Sequence, residues 1–177
     1  MTTPLVLTFV GDDKPGLVNA ISEKVAACGA TWLESRSARL AGKFAGVVLI
    51  SVSDESLAAL EASLRDLEPA GLRVTVERGA SVEVEKPRRL VTLGVLGRER
   101  PGIVRDVTQA LNRLSVNIEE FASGLESEPF TGAEMFRATA RLSVPDGLAL
   151  DDLRKALERL AGEIMVDLSV GEGVARP

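Results

Sequence analysis

The chain lacks the residues on which many catalytic and metal-binding sites depend. It has 177 residues, no histidine and a single cysteine, Cys28. Without histidine there is no histidine-based catalytic triad, and the most common general base at neutral pH and a common zinc ligand are missing. One cysteine forms neither an intrachain disulfide nor a cysteine cluster. We therefore expect no metal, no cofactor and no enzymatic activity.

Aromatic side chains, positive charge and long apolar runs are also scarce. Aromatic residues make up 3% of the chain, tyrosine is absent, and the formal net charge is −5. A sheet that binds RNA needs exposed aromatic side chains and a basic surface, so direct contact with nucleic acid is not expected. The apolar run 5–10 is too short for a signal sequence or a membrane span. We expect a cytoplasmic protein with no membrane contact.

The sequence does contain an internal repeat. The segment 11–18, GDDKPGLV, recurs as 97–104, GRERPGIV. Residues 97, 101 and 102 correspond to 11, 15 and 16 at a constant offset of 86. Each copy follows a short apolar run and precedes an apolar stripe at helical spacing. The chain therefore consists of two copies of one structural unit.

The residue pattern of the first unit predicts the element order βαββαβ. The β-rich run 5–10 predicts a strand that ends at the repeated turn. Asp13 is a candidate N-cap of the following helix, and Pro15 is tolerated in the first helical turn. The other predicted elements are a helix with Leu17, Val18, Ile21 and Val25 on one face, strands over 31–40, 44–52 and 72–76, a hairpin turn at Ala41–Gly42, and a helix with Leu57, Leu60, Leu64 and Leu67 on one face.

The second unit repeats this order with a longer connection between its middle strands. Pro129 and Gly132 favour a loop over 126–132 in place of the tight hairpin turn. The other predicted elements are strands over 91–96, 116–125, 133–144 and 164–170, a helix with Ile103, Val107, Leu111 and Leu114 on one face, and a helix with Leu150, Leu153, Leu157 and Leu160 on one face.

The domain organisation follows from the repeat. We predict one domain over 1–79 and another over 90–177, joined by a charged linker over 80–89. Val82 and Val84 alternate with charged residues, so a short edge strand is an alternative interpretation of the linker. Each βαββαβ unit puts two helices on one face of a four-stranded antiparallel sheet, the ferredoxin-like arrangement. The fold class is α+β.

The repeated motif carries a family resemblance. A strand, then Gly-x-x-x-Pro-Gly-Leu/Ile-Val, then a helix, present twice within βαββαβ, resembles the tandem ACT-domain proteins. The resemblance is greatest to the glycine cleavage system transcriptional repressor group and covers about 5–78 and 90–171. The loop 128–132, which leads to Met135 and Phe136, is a further detail similar to that group.

The resemblance implies regulation by a small ligand. ACT units commonly bind an amino acid at the interface between two units, at the turn before the first helix, and a polar residue at the start of the second strand often completes the site from a neighbouring unit. By position, the implied ligand-binding residues are Asp13, Gly16, Leu17 and Thr31 in the first unit and Glu99, Gly102, Ile103 and Asn117 in the second. We expect a small amino acid of glycine or serine size.

The chemistry of the turn suits a zwitterion. N–H groups at a helix start have no intrahelical acceptor, and they and the helix dipole favour a carboxylate. Asp13 or Glu99 can accept hydrogen bonds from an ammonium group, and Thr31 or Asn117 can orient either end. Glu99 departs from the aspartate or asparagine usual in ligand-binding members of the family, so the first site is favoured. A purely structural role for both Pro-Gly turns, for Asp13 as a cap and for Asn117 as a strand start remains an alternative.

Three functions are compared. The first is a non-catalytic amino-acid sensor that modulates a transcription factor or an enzyme through protein contacts, because no DNA-reading helix is evident. The second is a ligand-free scaffold for protein–protein interaction. The third is an acyl-phosphate hydrolase with Arg98 and Arg100 in an anion-binding loop. Because Asp12 and Lys14 stand at those positions in the first copy, the third is disfavoured.

The uncovered sheet faces and edge strands lead to a prediction of assembly. We expect the two units to form one compact body, with their sheets side by side or face to face, and the protein to be at least a homodimer. The loop 126–132 is the candidate for additional contact, because it is longer than a hairpin needs.

Overall fold

The computed structural model of the protein describes residues 1–79, 89–128, 132–159 and 164–170. The chain divides into two compact units, Met1–Val84 and Glu85–Pro177. Most of the predicted linker, residues 80–88, lies outside the described residues, and so does the alternative edge strand at Val82 and Val84. Residue 89 already belongs to a strand of the second unit. The exact domain boundaries stay a prediction.

The first unit has the predicted βαββαβ order. Its four-stranded antiparallel sheet has the strand order β2-β3-β1-β4. A short 3-10 helix, Glu68–Ala70, precedes the last strand. The elements are β1 (Thr2–Asp12), α1 (Leu17–Ala27), β2 (Thr31–Leu40), β3 (Lys43–Ser53), α2 (Leu57–Arg65) and β4 (Leu72–Arg78).

The apolar periodicities of the first unit correspond to its buried core. Leu17, Ile21 and Val25 recur at helical spacing and are buried along α1, whereas Val18 of the predicted face is 43% exposed. The alternating residues of β1 and β3 supply the sheet side of the same core. Leu67 lies beyond the end of α2, which stops at Arg65, but it is still buried in this core.

The second unit repeats the architecture. Its strand order is β6-β7-β5-β8, again antiparallel and four-stranded. The elements are β5 (Arg89–Arg98), α3 (Ile103–Arg113), β6 (Asn117–Ser127), β7 (Glu134–Val144), α4 (Leu150–Glu158) and β8 (Ile164–Val170). Both sheets together confirm the predicted α+β, ferredoxin-like fold.

The connection between β6 and β7 is shorter than predicted. Strand β6 runs to Ser127, two residues past its predicted end, and β7 begins at Glu134, one residue later than predicted, so residues 128–133 connect the strands in place of the predicted 126–132. Residues 129–131 of the predicted loop, including Pro129, lie outside the described residues, as does Leu160 of the last helical stripe.

The repeat extends to irregular features that sequence identity does not reveal. The register of β2 against β3 shifts between Trp32 and Glu34, and that of β6 against β7 shifts between Ile118 and Glu120. Gly29 and Ser115 lie at equivalent positions after the first helix of each unit, with φ of 67° and 55°. The two units therefore share a backbone even where their residues differ.

None of the helices within the described part of the chain is long and apolar enough to cross a membrane.

Candidate ligand-binding site

The repeated turn has the same backbone conformation in both units. Gly16 and Gly102 precede the first residue of α1 and α3 and have φ of 92° and 88°. This is a left-handed conformation that glycine adopts without steric cost. A Cβ atom built on Gly16 would meet no atom within 4 Å, so the turn requires glycine for its conformation and not for space.

The prediction that Pro15 lies in the first helical turn is wrong. The helix begins at Leu17, after Gly16, because a residue with φ of 92° cannot belong to a right-handed helix. Pro15 therefore precedes the N-cap residue and lies outside the helix, in the segment that leads into it. The corresponding Pro101 precedes Gly102 in the same way.

The interpretation of Asp13 as the N-cap of α1 is also wrong. The N-cap position is Gly16, and no side chain caps the helix. The Asp13 N–H donates to the Gly42 carbonyl at 2.9 Å, which ties the turn to the β2–β3 hairpin. Its carboxylate accepts a hydrogen bond from Arg39 Nη1 at 3.5 Å. Asp13 is therefore held against the hairpin, with its side chain 34% exposed.

The N-termini of α1 and α3 differ in which backbone N–H groups lack a hydrogen-bond acceptor in the described part of the chain. In α1 the first hydrogen bond runs from the Ala20 N–H to the Gly16 carbonyl at 2.8 Å, and the described residues give the Leu17 N–H no acceptor. In α3 the Ile103 N–H donates to the Arg100 carbonyl at 3.3 Å. The expected free donor is thus present in the first turn, whereas the Ile103 N–H of the second is already engaged.

A cavity of about 260 Å³ lies at the first turn. It contains three of the predicted site residues together with Phe44, which pairs with Gly11 across β1 and β3 and packs against Phe9 with ring centroids 5.6 Å apart. Its lining residues are Asp13, Lys14, Gly16, Leu17, Val18, Asn19 and Phe44.

A cavity of about 300 Å³ lies at the second turn. Phe136 occupies the place of Phe44, since it pairs with Gly97 across β5 and β7. Strand β6 forms an additional wall. The lining residues are Glu99, Arg100, Gly102, Ile103, Val104, Ser123, Gly124, Leu125 and Phe136.

An ion cluster lies beside the second turn. Asp106, in the first turn of α3, accepts from Arg100 Nη1 at 2.8 Å and from Arg105 Nε and Nη2 at 3.0 and 2.9 Å. These hydrogen bonds, first that of Arg100 and then that of Arg105, lower the pKa of the Asp106 carboxyl. In the first unit, Lys14 instead donates to the Ala70 carbonyl at 2.7 Å.

The structure does not bring Thr31 or Asn117 to the turn of its own unit. Thr31 pairs with Ser51, at the end of β2 opposite the hairpin to which Asp13 is bonded. Asn117 starts β6 in the same way, and its Nδ2 donates to Glu119 Oε1 at 2.9 Å. Completion of the site by a polar residue from a neighbouring unit stays a prediction.

Sequence reasoning missed the hairpin residues of both cavities. The strand register, and not the motif, places Phe44, Leu125 and Phe136 in the cavities and Arg39 beside Asp13. Pairing the predicted first and third strands antiparallel would have placed Phe44 opposite Gly11. Among the residues that the structure describes, no cluster of three or more potential metal-ligating side chains occurs.

The sequence and the fold are similar to those of known proteins. Residues 3–77 match the family model of the ACT domain. Over 94% of its length the chain is 31% identical to the phosphoserine phosphatase SerB2 of Mycobacterium tuberculosis, of which it spans only 40%. It is 24% identical, again over 94% of its length, to the glycine cleavage system transcriptional repressor of Escherichia coli, of which it spans 88%.

Two crystal structures extend the likeness to both units. A protein of unknown function from Galdieria sulphuraria has a TM-score of 0.78 and 30% identity, over 95% of this chain and 98% of that one. A candidate glycine cleavage system transcriptional repressor has a TM-score of 0.70 and 20% identity, over 97% and 99% of the two chains, and shows the shared fold. The first unit is therefore an ACT domain by its family model, the second unit repeats the same fold, and the chain as a whole is similar to the glycine cleavage system transcriptional repressors.

Proposed function

We propose that this protein is a non-catalytic regulator that binds a small amino acid, of glycine or serine size, at the first turn. The observation that carries the proposal is the composition of the first cavity. A carboxylate from Asp13 and the N-terminus of α1, where the Leu17 N–H has no acceptor among the described residues, line the same space of about 260 Å³. These groups have opposite polarity, as a zwitterion requires.

Each end of the ligand has a partner in this arrangement. The ammonium group donates to the Asp13 carboxylate, and the ligand carboxylate accepts from the Leu17 N–H near the positive end of the helix dipole. Lys14 also lines the cavity, and its ammonium group donates to the Ala70 carbonyl at 2.7 Å. Phe44 and Val18 supply apolar lining of the same cavity, against which a small side chain can lie.

The Arg39–Asp13 ion pair is compatible with this role. The Arg39 side chain is 72% exposed, and exposed ion pairs contribute about 0–1 kcal/mol. A ligand ammonium group that makes a charge-assisted hydrogen bond can therefore replace the guanidinium. The same ion pair is the observation that favours the alternative, a ligand-free scaffold, because the acid already has a cationic partner.

The regulatory part of the proposal rests on similarity. The chain spans 88% of a glycine cleavage system transcriptional repressor, so regulation of glycine or amino-acid metabolism through contact with a transcription factor or an enzyme is the proposed output. Phosphatase activity is not proposed, because the chain spans 40% of the phosphatase it resembles. A homodimer remains part of the proposal.

Calorimetry with glycine and L-serine tests the ligand. Asp13→Ala should weaken binding by about 1.5–3 kcal/mol, the usual contribution of a charge-assisted hydrogen bond. Asp12→Ala is the matched control, because this neighbouring acid pairs with Lys43 and does not line the cavity. Equal affinity of wild type and Asp13→Ala contradicts the site. No amino acid binding at millimolar concentration makes the scaffold the better conclusion.

A further inference from the structure

One hairpin position differs in chemistry between the two units. Arg39 pairs with Phe44 across β2 and β3, and Leu125 pairs with Phe136 across β6 and β7. Each residue thus lies opposite the phenylalanine that lines the cavity of its unit. In the first unit this position carries a guanidinium that reaches Asp13, and in the second it carries an aliphatic side chain that lines the cavity.

The second cavity is lined by both apolar and charged side chains. Ile103 and Phe136 are buried, whereas Val104 and Leu125 line the same cavity with 39% and 56% of their surface exposed. Exposed aliphatic side chains that face a concave space gain from covering by an apolar group. Glu99 and Arg100 also line the cavity and present opposite charges.

Arg100 has donors available for a ligand carboxylate. Its recorded bond to Asp106 uses Nη1, and a guanidinium carries five N–H donors in all. Glu99 supplies the acceptor for an ammonium group. The second cavity therefore contains a partner for each end of a zwitterion without relying on the Ile103 N–H, which is already bonded to Arg100.

We propose that the second cavity binds an amino acid with an aliphatic side chain, and that Leu125 is the residue that selects it. The inference rests on the proposed binding of amino acids at these turns and extends it from the first turn to a second ligand class. The side chain of the ligand lies against Leu125 and Val104, while Glu99 and Arg100 hold its charged ends. At the equivalent position of the first unit, Arg39 pairs with Asp13 and does not line the cavity, so the first cavity lacks the apolar wall that Leu125 provides in the second.

The test uses calorimetry on the full chain with L-leucine and glycine as probes. Leu125→Arg should weaken leucine binding at least about tenfold, because it removes the apolar wall and places a guanidinium near Glu99. Leu33→Arg is the matched control, since Leu33 is 54% exposed and lies outside both cavities, and it should bind leucine as the wild type does. Glycine binding should be unchanged in both variants.

A gain of binding provides a second, independent readout. Arg39→Leu should give the first cavity an apolar wall and raise the leucine stoichiometry from one to two per chain. Glycine binding without leucine binding by the wild type overturns this inference alone, as does unchanged leucine affinity in Leu125→Arg. If the wild type binds neither amino acid, the proposed function itself is overturned.

Discussion

The two units of this protein have the same backbone at the repeated turn but different side-chain chemistry around it. Gly16 and Gly102 have nearly the same φ. The cavity at each turn is lined by an acid and a base from the turn and by a phenylalanine from a strand. In the first unit the acid of the turn pairs with Arg39 from the hairpin. In the second unit, Arg100 of the turn pairs with an acid from the helix, Asp106. The repeat thus preserves the site's geometry while its ion pairs have changed.

Several of the differences between the units lie at exposed positions. Positions 39 and 125 are exposed, and so are the equivalent positions 19 and 105 at the helix starts. The buried residues of each unit are apolar with the exception of Ser143, within the described ranges. The proposal of two ligand sites with different specificity rests on this combination of similar apolar cores and different rim residues.

The largest expected effect tests whether each unit depends on its own core. Leu60 and Leu153 are fully buried at equivalent places, in α2 and α4. Replacing either by alanine should lower the free energy of unfolding of its own unit by about 2–5 kcal/mol, because a cavity remains. Hydrogen exchange should show the loss of protection in the first unit for Leu60→Ala and in the second for Leu153→Ala.

Leu40→Ala is the control for this pair, because Leu40 is strongly exposed and should leave exchange in both units unchanged. An equal loss of protection in both units from either core variant would contradict two separate cores.

A smaller effect is expected at the turn glycines. Gly16→Ala and Gly102→Ala should each destabilise the protein by about 1–2 kcal/mol, because a side chain disfavours the left-handed conformation. Gly102→Ala should cost slightly more, since its Cβ would lie 3.1 Å from the Arg105 guanidinium, whereas Gly16 faces open space. Chemical denaturation measures both values.

Gly16→Asn serves as the control for conformation, because asparagine adopts the left-handed region more readily than alanine. A loss of stability as large in Gly16→Asn as in Gly16→Ala would show that the conformation is not what requires glycine.

The element order could be predicted from the sequence because it depends on local patterns. The leucine stripe of α2, the Ala41–Gly42 hairpin turn and the repeated Pro-Gly segment each indicate their structure within a few residues. Both turn residues have positive φ, as a two-residue hairpin requires. Because the sequence is repeated, the element order predicted for one unit also predicts that of the other.

The partners of the site residues could not be predicted, because they depend on contacts between distant residues. Aspartate is a favoured N-cap, yet Asp13 is bonded to Gly42 and Arg39, which lie on the hairpin. The same hairpin contributes Phe44, and its counterpart contributes Leu125. The Pro-Gly motif predicts the turn itself. The residues that line the cavity depend on the strand register and on the lengths of β2 and β6, which the motif does not contain.

The smallest expected effect concerns the titration of Asp106, an acid whose counterpart in the first unit is Ala20. Its pKa is lowered, mainly by the hydrogen bond from Arg100. Because the pKa in the folded state lies below the unfolded value of about 3.9, ionised Asp106 stabilises the fold above that pH, and this contribution is lost as the pH falls through the folded pKa. Arg100→Gln should raise the pKa towards its ordinary value, with Arg105 still holding it somewhat low. The carboxyl carbon shift in an NMR titration measures this change. Lys14→Gln, the same position in the first unit, should leave the titration of Asp106 as in the wild type. An unchanged pKa in Arg100→Gln would rule out the Arg100 hydrogen bond as the main cause of the lowered pKa.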